Sequence, residues 1–199
     1  MNDVAFAQRR IDAVVIGASA GGIEALGLLL PALPAQLRAP VLIVQHIPRD
    51  RPSLLVDIFA PRCARPVREA DDKEPVAPGT VYFAPPDYHL LVDRGPQLAL
   101  SADELVHFSR PSIDVLFESA ADAYGAHLLG IILSGANDDG AAGLAAVHRA
   151  GGMAVVQDPR GAQAETMPAA ALQRTAAALV MSLEAIRDLL HALERDHAA

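Results

Sequence analysis

An apolar run, Ile11-Asp12-Ala13-Val14-Val15-Ile16, stops at Gly17-Ala18-Ser19-Ala20-Gly21-Gly22 and passes at once into a helix-forming segment. A strand that ends on small residues and turns straight into a helix leaves a side chain at the carboxyl edge of a sheet, where open α/β folds bind ligands. Here that side chain is the Ser19 hydroxyl, and the glycines around it let other backbone come close. Gly17 to Gly21 also satisfies G-x-S-x-G, the pattern of a nucleophile elbow. Two further apolar runs end in reactive side chains. Val41-Leu42-Ile43-Val44-Gln45-His46 closes on a histidine, and Leu128 to Leu133 is followed by Ser134-Gly135-Ala136-Asn137-Asp138-Asp139-Gly140. A hydroxyl, an imidazole and a carboxylate therefore stand beyond the ends of three predicted parallel strands, as a hydrolytic triad requires.

Strand-like and helical runs alternate along the chain, which predicts an α/β fold of the doubly wound, three-layer α/β/α kind with a mostly parallel sheet. Strands are expected at 12–17, 41–46, 128–133 and 153–157, with a weaker one near 177–181. Helices are expected near 22–32, 53–60, 113–123, 140–149, 168–174 and 183–194. Between 66 and 100 this rhythm breaks. Pro75, Pro78-Gly79, Pro85-Pro86 and Gly95-Pro96 punctuate short runs such as Thr80-Val81-Tyr82-Phe83 and Tyr88-His89-Leu90-Leu91-Val92, which reads as a small antiparallel hairpin excursion. At 199 residues the expectation is one domain, with its core at about 11–194.

A net charge of −8 argues against nucleic-acid binding. The single Cys63 forms no internal disulfide, so no oxidising compartment is needed, and it reads as structural. The apolar run after Arg9-Arg10 is too short for a secretory signal, and no stretch reaches membrane-spanning length. A cytoplasmic protein without membrane insertion is expected. No pair of histidines has metal-ligand spacing, and the acidic run Glu69 to Glu74 reads as a solvated loop.

The glycine-rich turn has three competing readings. A dinucleotide site wants a middle glycine where Ser19 stands, and an acidic residue at the second strand's end where Gln45-His46 stands. It fails at both positions. Helix capping is a role serine favours. The nucleophile reading gains because a helix N-terminus offers free N–H groups to a developing oxyanion. His46 becomes a general base if its strand neighbours that of Ser19, since adjacent strands lie about 5 Å apart. Asp138 and Asp139 both precede Gly140; one can cap the helix and the other orient His46, and composition does not choose between them. The chain order serine, histidine, aspartate, with little chain before the first strand, disfavours an α/β-hydrolase.

From Ile11 to Leu190 the sequence resembles the chemotaxis-specific protein-glutamate methylesterases. The resemblance is carried by Gly17-Ala18-Ser19-Ala20-Gly21-Gly22, Gln45-His46-Ile47-Pro48, Ala77-Pro78-Gly79 and Tyr82 to Leu90. It continues through Arg110-Pro111-Ser112-Ile113-Asp114-Val115-Leu116-Phe117, Ser134 to Ala141, Gln157-Asp158-Pro159 and Met167-Pro168-Ala169-Ala170. It implies Ser19 as nucleophile, His46 as base and Asp139 as triad acid, with Asp138 outside the triad. The implied reaction is hydrolysis of glutamyl methyl esters on chemoreceptor helices, and by the same chemistry deamidation of glutamine, without a cofactor. Oxyanion donors are expected near Ala20 and Gly21 or near Ala136. Arg49, Arg51 and Arg110 are candidates for receptor recognition, as are Arg62, Arg65 and Arg68.

The chain departs from the family pattern in three places. Ser134-Gly135-Ala136-Asn137 stands where the family reads T-G-M-G, and Thr166 replaces the glycine before Met167. No phosphorylatable receiver domain fits before Ile11, so control in cis is expected to be absent and a separate regulatory or receiver protein becomes a candidate partner. The alternative of another class is a catalytically reduced binding module in a chemosensory or regulatory complex.

Overall fold

A computed structural model describes residues 9–95 and 97–193. Seven strands form one parallel sheet: β1 (Ala13–Ala18), β2 (Val41–Gln45), β3 (Val67–Glu69), β4 (Val81–Phe83), β7 (Leu128–Ile132), β8 (Met153–Gln157) and β9 (Leu179–Met181), in the order β3-β4-β2-β1-β7-β8-β9. The remaining two, β5 (His89–Asp93) and β6 (Gln97–Ser101), pair as an antiparallel hairpin. The helices are α1 (Gly22–Leu29), α2 (Leu55–Phe59), α3 (Ile113–Tyr124), α4 (Ala141–Arg149), α5 (Thr166–Arg174) and α6 (Leu183–Ala192).

Central strands buried on both faces need apolar side chains at every position, and β1, β2, β7 and β8 are buried throughout. Side chains alternate between faces. Val14, Ile16, Val41 and Ile43 pack beneath α1, α2 and α6 through Leu26, Leu29, Phe59, Ile186 and Leu190. Ala13, Val15, Leu42 and Val44 face α3, α4, α5 and the hairpin through Phe117, Leu144, Ala171, Leu90 and Leu98. The result is three layers, doubly wound.

One expectation needs correction. Val81 to Phe83 is a parallel strand of the main sheet beside β2, and Val67 to Glu69 extends that sheet further; the antiparallel excursion is β5 and β6, joined by an isolated bridge from Pro75 to Gln97. Strands of three residues are too short to display a period, and the prolines around them read as loop. The end of the helix expected at 183–194 lies partly outside the described residues.

The chain runs from β1 outward to β2 and later returns to β7 on the other side of β1, with α1 and α4 on opposite faces. Such a switch point opens a crevice beyond the carboxyl ends of the strands. The register fixes what stands there: Ala18 lies opposite Gln45 and Gly17 opposite Ile132, so Ser19, His46 and the chain after Leu133 leave the sheet side by side.

Candidate active site

Ser19 follows β1, and its backbone is held from three directions. Its N–H donates to the Ser134 carbonyl at 2.9 Å, and its own carbonyl accepts from Gly22 N–H and from Gln45 Nε2, both at 2.9 Å. The turn that follows requires Gly21, whose φ of 80° is left-handed and whose missing Cβ would strike Gln163 and Ser134. The Ser134 hydroxyl ties the turn down by donating to the Ala20 carbonyl at 2.7 Å while accepting from Ala164 N–H at 2.8 Å. The N–H groups of Ser19, Gly22 and Gly135 already have partners, whereas those of Ala20, Gly21 and Ala136 have none among the described residues.

His46 is placed by β2. Its N–H donates to the Ala18 carbonyl, and Gln45 Nε2 donates to the His46 carbonyl at 3.0 Å as well as to Ser19. One buried amide thus spans the carbonyls of both residues. The His46 ring meets the Asp139 carboxylate through Nε2, at 2.9 Å, with 13% of the His46 side chain and none of the Asp139 side chain exposed.

Asp139 is reached because Gly140, at φ 95°, turns the chain into α4 where a Cβ would strike Ile113 and Ile132. Its carboxylate then sits on the N-terminus of α3. It accepts from Ile113 N–H at 2.7 Å, Asp114 N–H at 3.0 Å and the Ser112 hydroxyl at 2.8 Å. These are donors that a helix start leaves open, at the end where the dipole favours negative charge. Burial alone would push the carboxyl up; hydrogen bonding from His46, then from Asp114 and Ile113 N–H, outweighs it and holds Asp139 below its ordinary value. An ionised Asp139 only accepts, so His46 Nε2 is the donor in this bond, which leaves Nδ1 as the ring nitrogen on the other side.

The capping is reciprocal. Asp114, in the first turn of α3, accepts Gly143 N–H from the first turn of α4 at 2.6 Å. Its carboxyl is pushed up, mainly by burial. Asp138 points outward, with its side chain 59% exposed, toward His107 Nδ1 at 3.1 Å; His107 Nε2 lies 3.3 Å from Asp114. No described group of three or more His, Cys, Asp or Glu residues is arranged to hold a metal ion.

The arginines expected to recognise substrate separate. Arg49 is half exposed and lies 3.7 Å from Asp87, and Arg51 is exposed. Arg110 binds Asp87 through Nε and Nη2 and the carbonyls of Ala102 and Asp103 through Nη1. Arg65 is buried and lies near Gly79, ahead of β3 and β4, and Arg68 stacks over Tyr82 and pairs with Glu74. A cavity of about 160 Å³ lies against His46, bordered by Pro48, Arg49, Phe108 and Arg110. A larger one of about 730 Å³ opens near Ile11, Pro40 and Tyr124, at the amino ends of the strands. It lies at the far edge of the sheet from Ser19, His46 and Asp139.

Sequence reasoning missed Gln45, Ser112, His89 and His107. Gln45 carried a faint signal, a lone amide in an apolar strand. His89 is buried and receives Ser112 N–H on Nδ1 at 3.1 Å, which fixes the start of α3.

The CheB methylesterase family profile matches residues 14–190, nearly the whole described chain. The chain belongs to the CheB methylesterase family. It is 46% identical over 186 residues to a putative protein-glutamate methylesterase/protein-glutamine glutaminase of Leptospira interrogans, covering 94% of this chain and 96% of that protein. A protein-glutamate methylesterase/protein-glutamine glutaminase of Symbiobacterium thermophilum is 39% identical over 177 residues, but the match spans only 49% of that longer protein. The crystal structure of the Thermotoga maritima CheB methylesterase catalytic domain superposes with a TM-score of 0.85 at 31% identity, over 92% of this chain and 98% of that domain. No described helix is long and apolar enough to cross a membrane.

Proposed function

We propose that this chain is a serine hydrolase that removes methyl groups from glutamyl methyl esters on bacterial chemoreceptors, and by the same chemistry deamidates receptor glutamine. The observation that carries the reading is the buried His46–Asp139 pair, its carboxylate also accepting N–H groups at the start of α3, at the strand end next to Ser19.

Ser19 Oγ attacks the ester γ-carbonyl while His46 Nδ1 takes its proton. Asp139 stabilises the imidazolium and fixes the tautomer. Negative charge gathers on the carbonyl oxygen, and the open N–H groups of Ala20 and Gly21 or of Ala136 are the donors suited to it. His46 returns the proton to the departing methanol. Water, activated by the same imidazole, then attacks the glutamyl–Ser19 ester and releases the free carboxylate. A glutamine amide follows the same steps with ammonia as leaving group. Exposed Arg49 and Arg51 face acidic groups of the receptor, and Arg110 positions the loop beside them. Residues 14–190 act in this reading as one catalytic domain.

The test is methanol release from a methylated chemoreceptor cytoplasmic fragment, with Ser19→Ala as control. Turnover that disappears in the variant supports the proposal; no turnover by the unaltered chain, or turnover that survives Ser19→Ala, contradicts it.

A further inference from the structure

Just before α3 the chain makes a two-residue turn. Ser109 N–H donates to the Val106 carbonyl at 2.8 Å and Val106 N–H to the Ser109 carbonyl at 3.1 Å, with His107 and Phe108 between them. Both central residues have positive φ, 48° and 60°. Asparagine and glycine fill such a pair with little strain, whereas a bulky side chain there is an outlier that the surroundings must enforce.

The surroundings do enforce it. His107 is clamped between Asp114 and Asp138, and Arg110 gathers Asp87 and the carbonyls of Ala102 and Asp103 behind the turn. What this strained and clamped turn displays is Phe108, 94% exposed at the border of the His46 cavity. An aromatic ring in water contributes nothing to the core, so folding gives no reason for it.

A second observation points the same way. Among the described residues six large hydrophobic side chains are exposed, one of them Val180 on the edge strand β9. Ile23 follows the Ser19 turn, Leu54 lies between His46 and α2, Tyr88 follows β4, and Leu105 and Phe108 precede α3. Three of the five thus follow strands whose carboxyl ends form the active edge, and Phe108 itself borders the cavity at His46. The cavity beside His46, about 160 Å³, is bordered by Ile47, Pro48, Phe108 and Pro111, so Phe108 stands at the edge of the space next to the candidate base. Exposed Arg49 borders the same cavity.

We propose that Phe108 determines specificity: it packs on an apolar side chain one helical turn from the esterified glutamate, so the enzyme takes its substrate from a folded amphipathic helix. Residues three or four apart on a helix lie about 5–6 Å from each other, a span that suits one side chain beside His46 and its neighbour against Phe108. The proposal rests on the esterase reading above.

The test compares hydrolysis of a methylated chemoreceptor fragment with that of N-acetylglutamate γ-methyl ester. Phe108→Ser is expected to lower kcat/KM on the receptor by about 10- to 100-fold, mostly through KM, as loss of an aromatic anchor does. The loss on the small ester should be at least about tenfold smaller, and Phe108→Leu should restore most receptor activity. Phe108→Gly should lose receptor activity too while raising Tm by about 2–4 °C, because glycine relieves the positive φ. A merely structural residue would not become more stable and less active together. Equal losses on both substrates, an unchanged receptor rate in Phe108→Ser, or a lower Tm in Phe108→Gly would overturn the proposal. An unaltered chain inactive on the receptor fragment contradicts the esterase reading and this proposal together, whereas an active one with unchanged Phe108→Ser contradicts this proposal alone.

Discussion

Asp139 and Ser19 stand at opposite ends of one candidate relay, and the protein treats them in opposite ways. The Asp139 carboxylate is wholly buried and accepts from His46, Ile113, Asp114 and Ser112. The Ser19 side chain is part-exposed and makes no hydrogen bond among the described residues; only its backbone is tied, by Ser134, Gly22 and Gln45. At the acid end the fold has given both carboxylate oxygens of Asp139 partners. At the serine end it has fixed the geometry and left the N–H groups of Ala20, Gly21 and Ala136 for something else to use. Donors aimed in advance and kept free stabilise a charge that appears only during reaction. The contrast therefore separates residues whose loss should harm stability and activity together from those whose loss should harm activity alone.

The largest effect is expected at the open end. Ser19→Ala should lower kcat on methylated receptor by about 10⁶-fold, by analogy with serine proteases, yet leave the melting temperature nearly unchanged. A large fall in melting temperature would break the comparison, because it would make Ser19 part of the folded scaffold. At the closed end Asp139→Asn should lower kcat by about 10⁴-fold, since an amide favours the wrong imidazole tautomer. It should also destabilise, because an amide N–H₂ would face donors at the start of α3. Asp138→Asn, outside that cluster, should cost at least about a hundredfold less in kcat, which steady-state rates of the two variants would check.

Gln45 joins the two ends, so its replacement sharpens the contrast. Gln45→Leu keeps the bulk but releases the carbonyls of Ser19 and His46. A drop of about 10²-fold in kcat is expected, as for a small misplacement of reacting groups. The smallest effect is a pH dependence of stability. A carboxyl held below its unfolded value contributes stability that is fully present above the unfolded pKa of about 3.9 and is lost as pH falls through the lower folded value. Urea unfolding should find Asp139→Asn weaker than the unaltered chain by about 1–3 kcal/mol at pH 7. That gap should close only in acid well below pH 4, roughly where the protonated Asp139 comes to resemble the amide.

The open end was the more legible of the two in sequence. Long apolar runs ending at Ser19, His46 and Leu133 mark buried parallel strands, and neighbouring strands must bring their ends together. The shell around Asp139 was hidden because it is built from contacts distant in sequence. Asp139 caps a helix that starts 26 residues earlier, at Ile113. A Ser-x-Asp start such as Ser112-Ile113-Asp114 normally signals that the serine caps its own helix; here the Ser112 hydroxyl turns to Asp139 instead. His107 gave no local signal, since its partners Asp114 and Asp138 lie on two other segments. The three-residue strands β3 and β4 were lost among prolines for a different reason, being too short for any period. The arginines after His46 are close in sequence but enter different structural settings, Arg65 buried ahead of β3 and Arg68 within it.

The central claim is that Ser19 and His46 act as one unit oriented from the closed end. The most direct test is the initial rate of methanol release by Ser19→Ala, His46→Ala and the double variant. Residues that act as a unit are non-additive, so each single variant should lose about 10⁶-fold in kcat and the double variant should be scarcely worse. Losses that multiply, or a single variant retaining substantial turnover, would contradict the account.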